Sequence, residues 1–156
     1  MTSEAEFIRG NGIHLVEASA GTGKTTWMVR AATQLILGDR RAVPRVQNPE
    51  RLLAVTFTNA ATAELKERLR SALLRAQAIA AGAAPTEQER WLVEACTNAR
   101  DATTIDAVAR SLDRLTVTTI HGFCKGVVEV SPVACGVAHG LTFIEHADAY
   151  LDDAVA

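Results

Sequence analysis

The 156 residues, 48% of them hydrophobic, suffice for one α/β domain with a core of its own. Against 18 Asp and Glu stand 16 Lys and Arg, a formal charge of −2 with a sequence pI of about 6.1, which excludes a protein that holds nucleic acid by global charge and makes any DNA contact local. The 3 cysteines, none in a CxxC pair, exclude a disulfide framework, no apolar run approaches the ~20 residues of a membrane span, and the acidic start Met1-Thr2-Ser3-Glu4-Ala5-Glu6 is unlike a signal peptide, so a soluble cytoplasmic protein is expected.

The short apolar run Ile13-His14-Leu15-Val16 predicts a first strand. It leads into Glu17-Ala18-Ser19-Ala20-Gly21-Thr22-Gly23-Lys24-Thr25-Thr26 and then into a helical pattern over 24–37. Strand, glycine loop and helix in that order make a site for polyphosphate. Gly21 and Gly23 can take positive φ and turn successive backbone N–H groups inward, and the helix adds its unpaired N-terminal donors and the positive end of its dipole. Lys24 supplies a mobile ammonium for the β/γ oxygens and Thr25 a hydroxyl for Mg²⁺, which makes these two the candidate catalytic residues. Ala18, Ser19, Ala20, Gly21, Thr22, Gly23, Lys24, Thr25 and Thr26 form the candidate nucleotide site, with ATP and Mg²⁺ as cofactors. The general pattern is GxxxxGK[ST]; here alanine stands first, at Ala18, and a further glycine sits at Gly21. Trp27, Ala31 and Leu35, with Met28, Ala32 and Ile36 beside them, predict the face that packs on a sheet, and Gly38 a C-cap.

Asp39 to Arg51 holds Pro44, Pro49 and arginines 40, 41, 45 and 51, and reads as an exposed connection. Leu52-Leu53-Ala54-Val55-Thr56-Phe57 predicts a strand buried on both faces. Thr58 or Asn59 then caps a helix whose Ala61, Leu65, Leu69 and Leu73 recur every four residues, with Glu64, Lys66, Glu67 and Arg70 as its solvated side. Helices are expected around 87–96 and 104–112, a strand over 115–120, a helix over 121–130 before Pro132, and a last helix over 146–155. His121, Cys124, Cys135 and His139 carry ligand-type atoms, but Cys124 falls on a helix with an apolar side and is expected as a small buried thiol, not a zinc ligand.

Three segments occur in order at expected strand ends: EASAGTGKT, LAVTFTNAATAELKERL and TVTTIHGFC. With them the chain resembles the N-terminal part of UvrD/Rep-type superfamily 1 helicases, most closely the RecB and AddA branch, over roughly residues 10 to 150. The resemblance implies a RecA-like parallel sheet flanked by helices, with residues 1–130 a partial ATP-binding domain, 70–113 a short helical insertion, and 131–156 a loop and helix leading onward. It also implies single-stranded and double-stranded DNA as substrate, partner subunits of a helicase–nuclease complex, and work beside the nucleoid. Its second and third motifs contact single-stranded DNA, which makes Thr56, Phe57, Thr58, Asn59, Thr119, His121 and Gly122 the candidate DNA residues. Hydroxyl, amide and backbone groups suit sugar and phosphate without reading sequence, and Phe57 and His121 offer flat faces for a base.

The family's adenine-reading glutamine has no match here; Asn11 stands near that position, with Asn48, Gln34 and Gln47 elsewhere. Glu17 reads as a polar strand end. The Asp-Glu pair and arginine finger needed for hydrolysis are missing, since Leu141-Thr142-Phe143-Ile144-Glu145 ends in a single acid before His146. An N-terminal portion of a 3'–5' helicase in double-strand break repair, inactive in isolation, is therefore the leading expectation. Two other readings stay open: a small-molecule P-loop kinase with arginines 40–51 on a lid, and a silent nucleotide- or DNA-binding remnant.

Overall fold

The computed structural model describes residues 12–17, 19, 21, 23–37, 49–97, 102–110 and 112–137. Contacts divide the chain into two units, Met1–Ile120 and His121–Ala156.

In the first unit, two short runs rich in β-branched residues, Leu53–Thr56 (β1) and Thr116–Thr119 (β2), pair in parallel. The register sets Leu53 opposite Thr116 and Thr56 opposite Thr119, so both strands end together. Parallel neighbours need a long crossover, and this one is helical. It consists of α2 (Asn59–Ala80), α3 (Arg90–Thr97) and α4 (Ala102–Arg110), while α1 (Lys24–Leu37) precedes β1. The architecture is thus α/β, as expected, with a small two-stranded parallel sheet among the described residues.

The 22 residues of α2 organise this unit. Leu65, Leu69, Leu73 and Ala76 line one stripe and are all buried. Its first half packs with Val29 of α1 and Val117 of β2, and its second half with Ile36, Leu37, Leu92, Ala95, Ile105 and Val108. Burying each such leucine stabilises by about 1.5–3 kcal/mol, which makes this stripe the main support of the sheet. Glu64, Lys66, Glu67 and Arg70 are exposed, as the pattern predicts. At the C-terminal end Gly82 adopts φ +101°, its N–H bonds the Ile79 carbonyl and the Ala83 N–H bonds the Ala78 carbonyl, so the last orphan carbonyls are satisfied. The turn that follows is clamped by Arg75, which donates to both Glu89 carboxylate oxygens (2.7 and 2.9 Å) and to the Ala84 carbonyl. The Arg75 bond, and after it the Thr86 backbone N–H, hold the Glu89 carboxyl down to about 2.

Four expectations are corrected. Ile13 to Val16 is not a strand: residues 13–17 carry no regular structure, and Ile13 and Leu15 are fully exposed or nearly so. A strand exists through its ladder, and among the described residues β1 and β2 pair only with each other. For the same reason β1 is not buried on both faces, and Leu53 is exposed. The fully buried positions of α1 are Val29, Thr33, Ile36 and Leu37, not the row of Trp27, Ala31 and Leu35. That row instead lines an open apolar groove of about 200 Å³ beside Leu52 and the β1 residues Leu53 to Val55, because the face turned towards α2, α3 and α4 is buried more completely than the one beside a two-stranded sheet. Finally, Cys124 is exposed, not buried.

Among its described residues the second unit holds α5 (Ile120–Val130) from His121 onward, the helix beginning directly after β2, and a 3-10 turn at Val133–Cys135 closed by Gly136 at φ +72°. None of the residues of α5 is buried, Gly126 and Val128 are half-buried, and Cys124 is exposed. The expected cap at Gly38, the connection over 39–48, the run 141–145 and the helix over 146–155 lie outside the described residues.

Candidate functional site

The glycine loop has the backbone its sequence calls for. Gly21 sits at φ +77° and Gly23 at φ +87°, the left-handed region where a side chain is strained. The Trp27 N–H bonds the Gly23 carbonyl at 2.9 Å, the first bond of α1. Gly23 thus occupies the cap position, and the N–H groups of Lys24, Thr25 and Thr26 are the first-turn donors that a helix leaves for a ligand. The 14-residue α1 directs its positive end onto the same spot. Lys24 Nζ donates to the Ser19 carbonyl at 2.6 Å, which draws the ammonium back across the loop. Lys24 is exposed and Thr25 half-buried. Ala18, Ala20 and Thr22 lie outside the described residues, as do Asn11, Gln47 and Asn48.

A second cluster forms where β1 and β2 end. Thr56 and Thr119 are register partners there, and Phe57, Thr58 and Asn59 make the turn from β1 into α2. Phe57 is 83% exposed. The hydroxyls beside it are engaged within the protein: Thr58 Oγ1 accepts from the Ala61 N–H at 3.1 Å as the cap of α2, and Thr56 Oγ1 bonds the Thr58 carbonyl and the Thr62 hydroxyl. Asn59 is exposed and Thr119 half-buried. Sequence patterning alone misses Thr62, whose signal is a hydroxyl four residues after the cap, within reach of the cap carbonyl.

His121 and Gly122 belong to the other unit, in the first turn of α5, and both are exposed. Among the described residues, which include His121, Cys124 and Cys135, no group of three or more His, Cys, Asp or Glu is placed to hold a metal ion; His139 is outside them. No described helix is long and apolar enough to cross a membrane.

Phe57 and Asn59 are thus exposed beside the paired strand ends, and the glycine loop with Lys24 stands at the start of α1. A model of the UvrD/REP helicase N-terminal domain matches residues 3–153. The chain belongs to this family. It is 38% identical over 138 residues to the RecBCD enzyme subunit RecB of Escherichia coli, which covers 86% of this chain and 12% of that one. With an ATP-dependent helicase/nuclease subunit of Alkaliphilus metalliredigens it shares 37% identity over 120 residues, 77% of this chain and 8% of the relative. With the RecB protein of Mycolicibacterium smegmatis it shares 31% over 147 residues, 93% of this chain and 13% of the relative. The chain therefore spans about an eighth or less of the length of these relatives.

Proposed function

We propose that the chain is the ATP-binding N-terminal portion of a 3'–5' DNA helicase or helicase–nuclease subunit that acts in recombinational double-strand break repair, in the cytoplasm beside the nucleoid. The observation that carries this reading is the loop: Gly21 and Gly23 at positive φ, followed at once by the first-turn N–H groups of α1 and by Lys24. These residues fit a triphosphate. The loop amides and the N–H groups of Gly23 to Thr26 cradle its oxygens, and Lys24 leaves the Ser19 carbonyl to neutralise the β- and γ-phosphates. The Thr25 hydroxyl, one residue into the helix, would hold Mg²⁺, which would supply positive charge to offset that of the phosphates.

The residues at the strand ends serve single-stranded DNA. Phe57 presents a ring on which any base can stack, Asn59 and Thr119 offer polar contacts that read no sequence, and His121 and Gly122 contribute from the start of α5. The relatives, a RecBCD component and a helicase/nuclease subunit, support a partner-dependent complex. We assign residues 1–130 to a partial RecA-like domain with 70–113 as its helical insertion, and 131–156 to a connecting loop and helix. Two parallel strands in register among the described residues, joined by a helical crossover, support the α/β part of this reading.

Nucleotide turnover by the full-length protein, measured with and without single-stranded oligo(dT), tests the assignment. Stimulation by the oligonucleotide is expected. Turnover that ignores DNA but phosphorylates a small acceptor would make the protein a kinase, and nucleotide binding without turnover would make it a silent remnant. The 156-residue chain alone is expected to bind nucleotide without unwinding duplex DNA.

A further inference from the structure

The ring of Phe57 is 83% exposed, so its placement falls to the backbone on either side of it. That backbone is a two-residue step, Phe57-Thr58, between the end of β1 and the start of α2. A step so short between two rigid elements can swing unless something ties strand, cap and helix to one another.

Three threonines do so. The Thr62 hydroxyl reaches the Thr58 carbonyl at 3.0 Å and the Thr56 hydroxyl at hydrogen-bond distance, while the Thr56 hydroxyl lies 3.1 Å from the same carbonyl. The Thr62 backbone N–H also bonds that carbonyl, at 3.0 Å, and the Thr58 hydroxyl caps Ala61. Two hydroxyl protons are available for three oxygen–oxygen contacts. One proton can go to the carbonyl and the other can bridge the two hydroxyls, so both side chains are committed whichever donates. Thr56 belongs to the strand, Thr58 to the cap and Thr62 to the second turn of the helix, and the triangle they form brackets Phe57.

We propose that Thr62 is a positioning residue for single-stranded DNA: its hydroxyl locks the turn between β1 and α2 and so fixes the Phe57 ring in the pose in which a base stacks on it. The proposal rests on the assignment of Phe57 to DNA contact made above. Thr62 itself touches no DNA in this account; it acts through Phe57. Removing its hydroxyl leaves the cap bond between Thr58 and Ala61 in place, so α2 still forms while the turn gains freedom.

The test is a set of binding titrations of fluorescein-labelled oligo(dT) with the full-length protein and its Phe57→Ala, Thr62→Val, Thr62→Ser and Phe57→Ala/Thr62→Val variants. Thr62→Val keeps the shape of threonine without the hydroxyl and is expected to weaken binding about 2- to 10-fold, the worth of one hydrogen bond. Thr62→Ser, which restores the hydroxyl, is expected to bind like the native protein. In the Phe57→Ala background, Thr62→Val is expected to have no further effect, because the residue through which it acts is gone. Chymotrypsin cleavage after Phe57, followed without DNA, is expected to quicken in Thr62→Val and not in Thr62→Ser, a readout of the turn that does not depend on binding. Native affinity in Thr62→Val while Phe57→Ala is impaired would overturn the proposal and leave the DNA assignment standing. Native affinity in Phe57→Ala would overturn that assignment instead. A loss that serine does not restore, or that persists in the double variant, would reduce Thr62 to a stabilising residue and overturn its positioning role.

Discussion

Substituting alanine for Gly23 isolates the backbone's part in nucleotide binding. At φ +87° an L side chain is strained, yet a Cβ built there meets no heavy atom within 4 Å, so the whole penalty is local to that residue. The left-handed conformation costs a non-glycine residue about 1–2 kcal/mol. The loop is exposed and can relax in the free protein, but it has to return to the native conformation to surround a triphosphate. The cost therefore appears as lost affinity, about 5- to 30-fold, with little change in melting temperature. Gly82 provides the matched control: its φ is +101°, a Cβ there also meets nothing within 4 Å, and it closes α2 on the far side of the crossover. Gly82→Ala is expected to lower the melting temperature by about 2–8 °C and leave affinity untouched. Titration with a fluorescent ATP analogue and a thermal melt on each variant decide the matter. Native affinity in Gly23→Ala, or equal loss of affinity in both variants, would refute the reasoning.

Two further outcomes concern the scaffold. Leu73 is 1% exposed and packs in the cluster that joins α1 to the α3–α4 pair, so Leu73→Ala is expected to cost about 2–5 kcal/mol in urea unfolding, whereas Leu74→Ala, 43% exposed next to it, is expected to cost far less. Equal losses at the two positions would contradict the stripe assigned to α2. The Glu89 carboxyl, held at about 2 by Arg75 in the folded chain against 4.5 for a free one, stabilises the fold fully above about pH 5 and loses that contribution as pH falls towards 2. A Glu89→Gln variant is accordingly expected to melt below the native protein at pH 7 and to converge with it near pH 2; a difference that stays constant across that range would argue against the clamp.

Much of this was legible in the residues. Helical periodicity in Leu65, Leu69 and Leu73 announced the buried stripe, and the strand ends fell within a residue or two of Thr56 and Thr119, because a run that passes from β-branched residues to a capping threonine leaves little choice. Gly21 and Gly23 were legible for a stronger reason: the conformation their site requires is one that other residues resist. What could not be read was anything set by neighbours far along the chain. The apolar run Ile13 to Val16 looks like a strand, yet strand formation is decided by a partner and not by the run itself. Helix α1 is apolar on more than one side, so its periodicity did not say which side α2, α3 and α4 bury. The tie from Thr62 to Thr56 joins residues on two different elements, and no local pattern reports which hydroxyls share a proton.

The most direct measurement on the central claim is the affinity of Lys24→Ala for the ATP analogue, beside that of the native chain. Loss of a charge-assisted contact worth about 1.5–3 kcal/mol predicts binding at least about 10-fold weaker, with the melting curve little changed because Lys24 is exposed and its ammonium lies against a loop carbonyl rather than in the core. Unchanged affinity would contradict the account, because it would mean that the loop from Gly21 to Thr26 does not hold the phosphates.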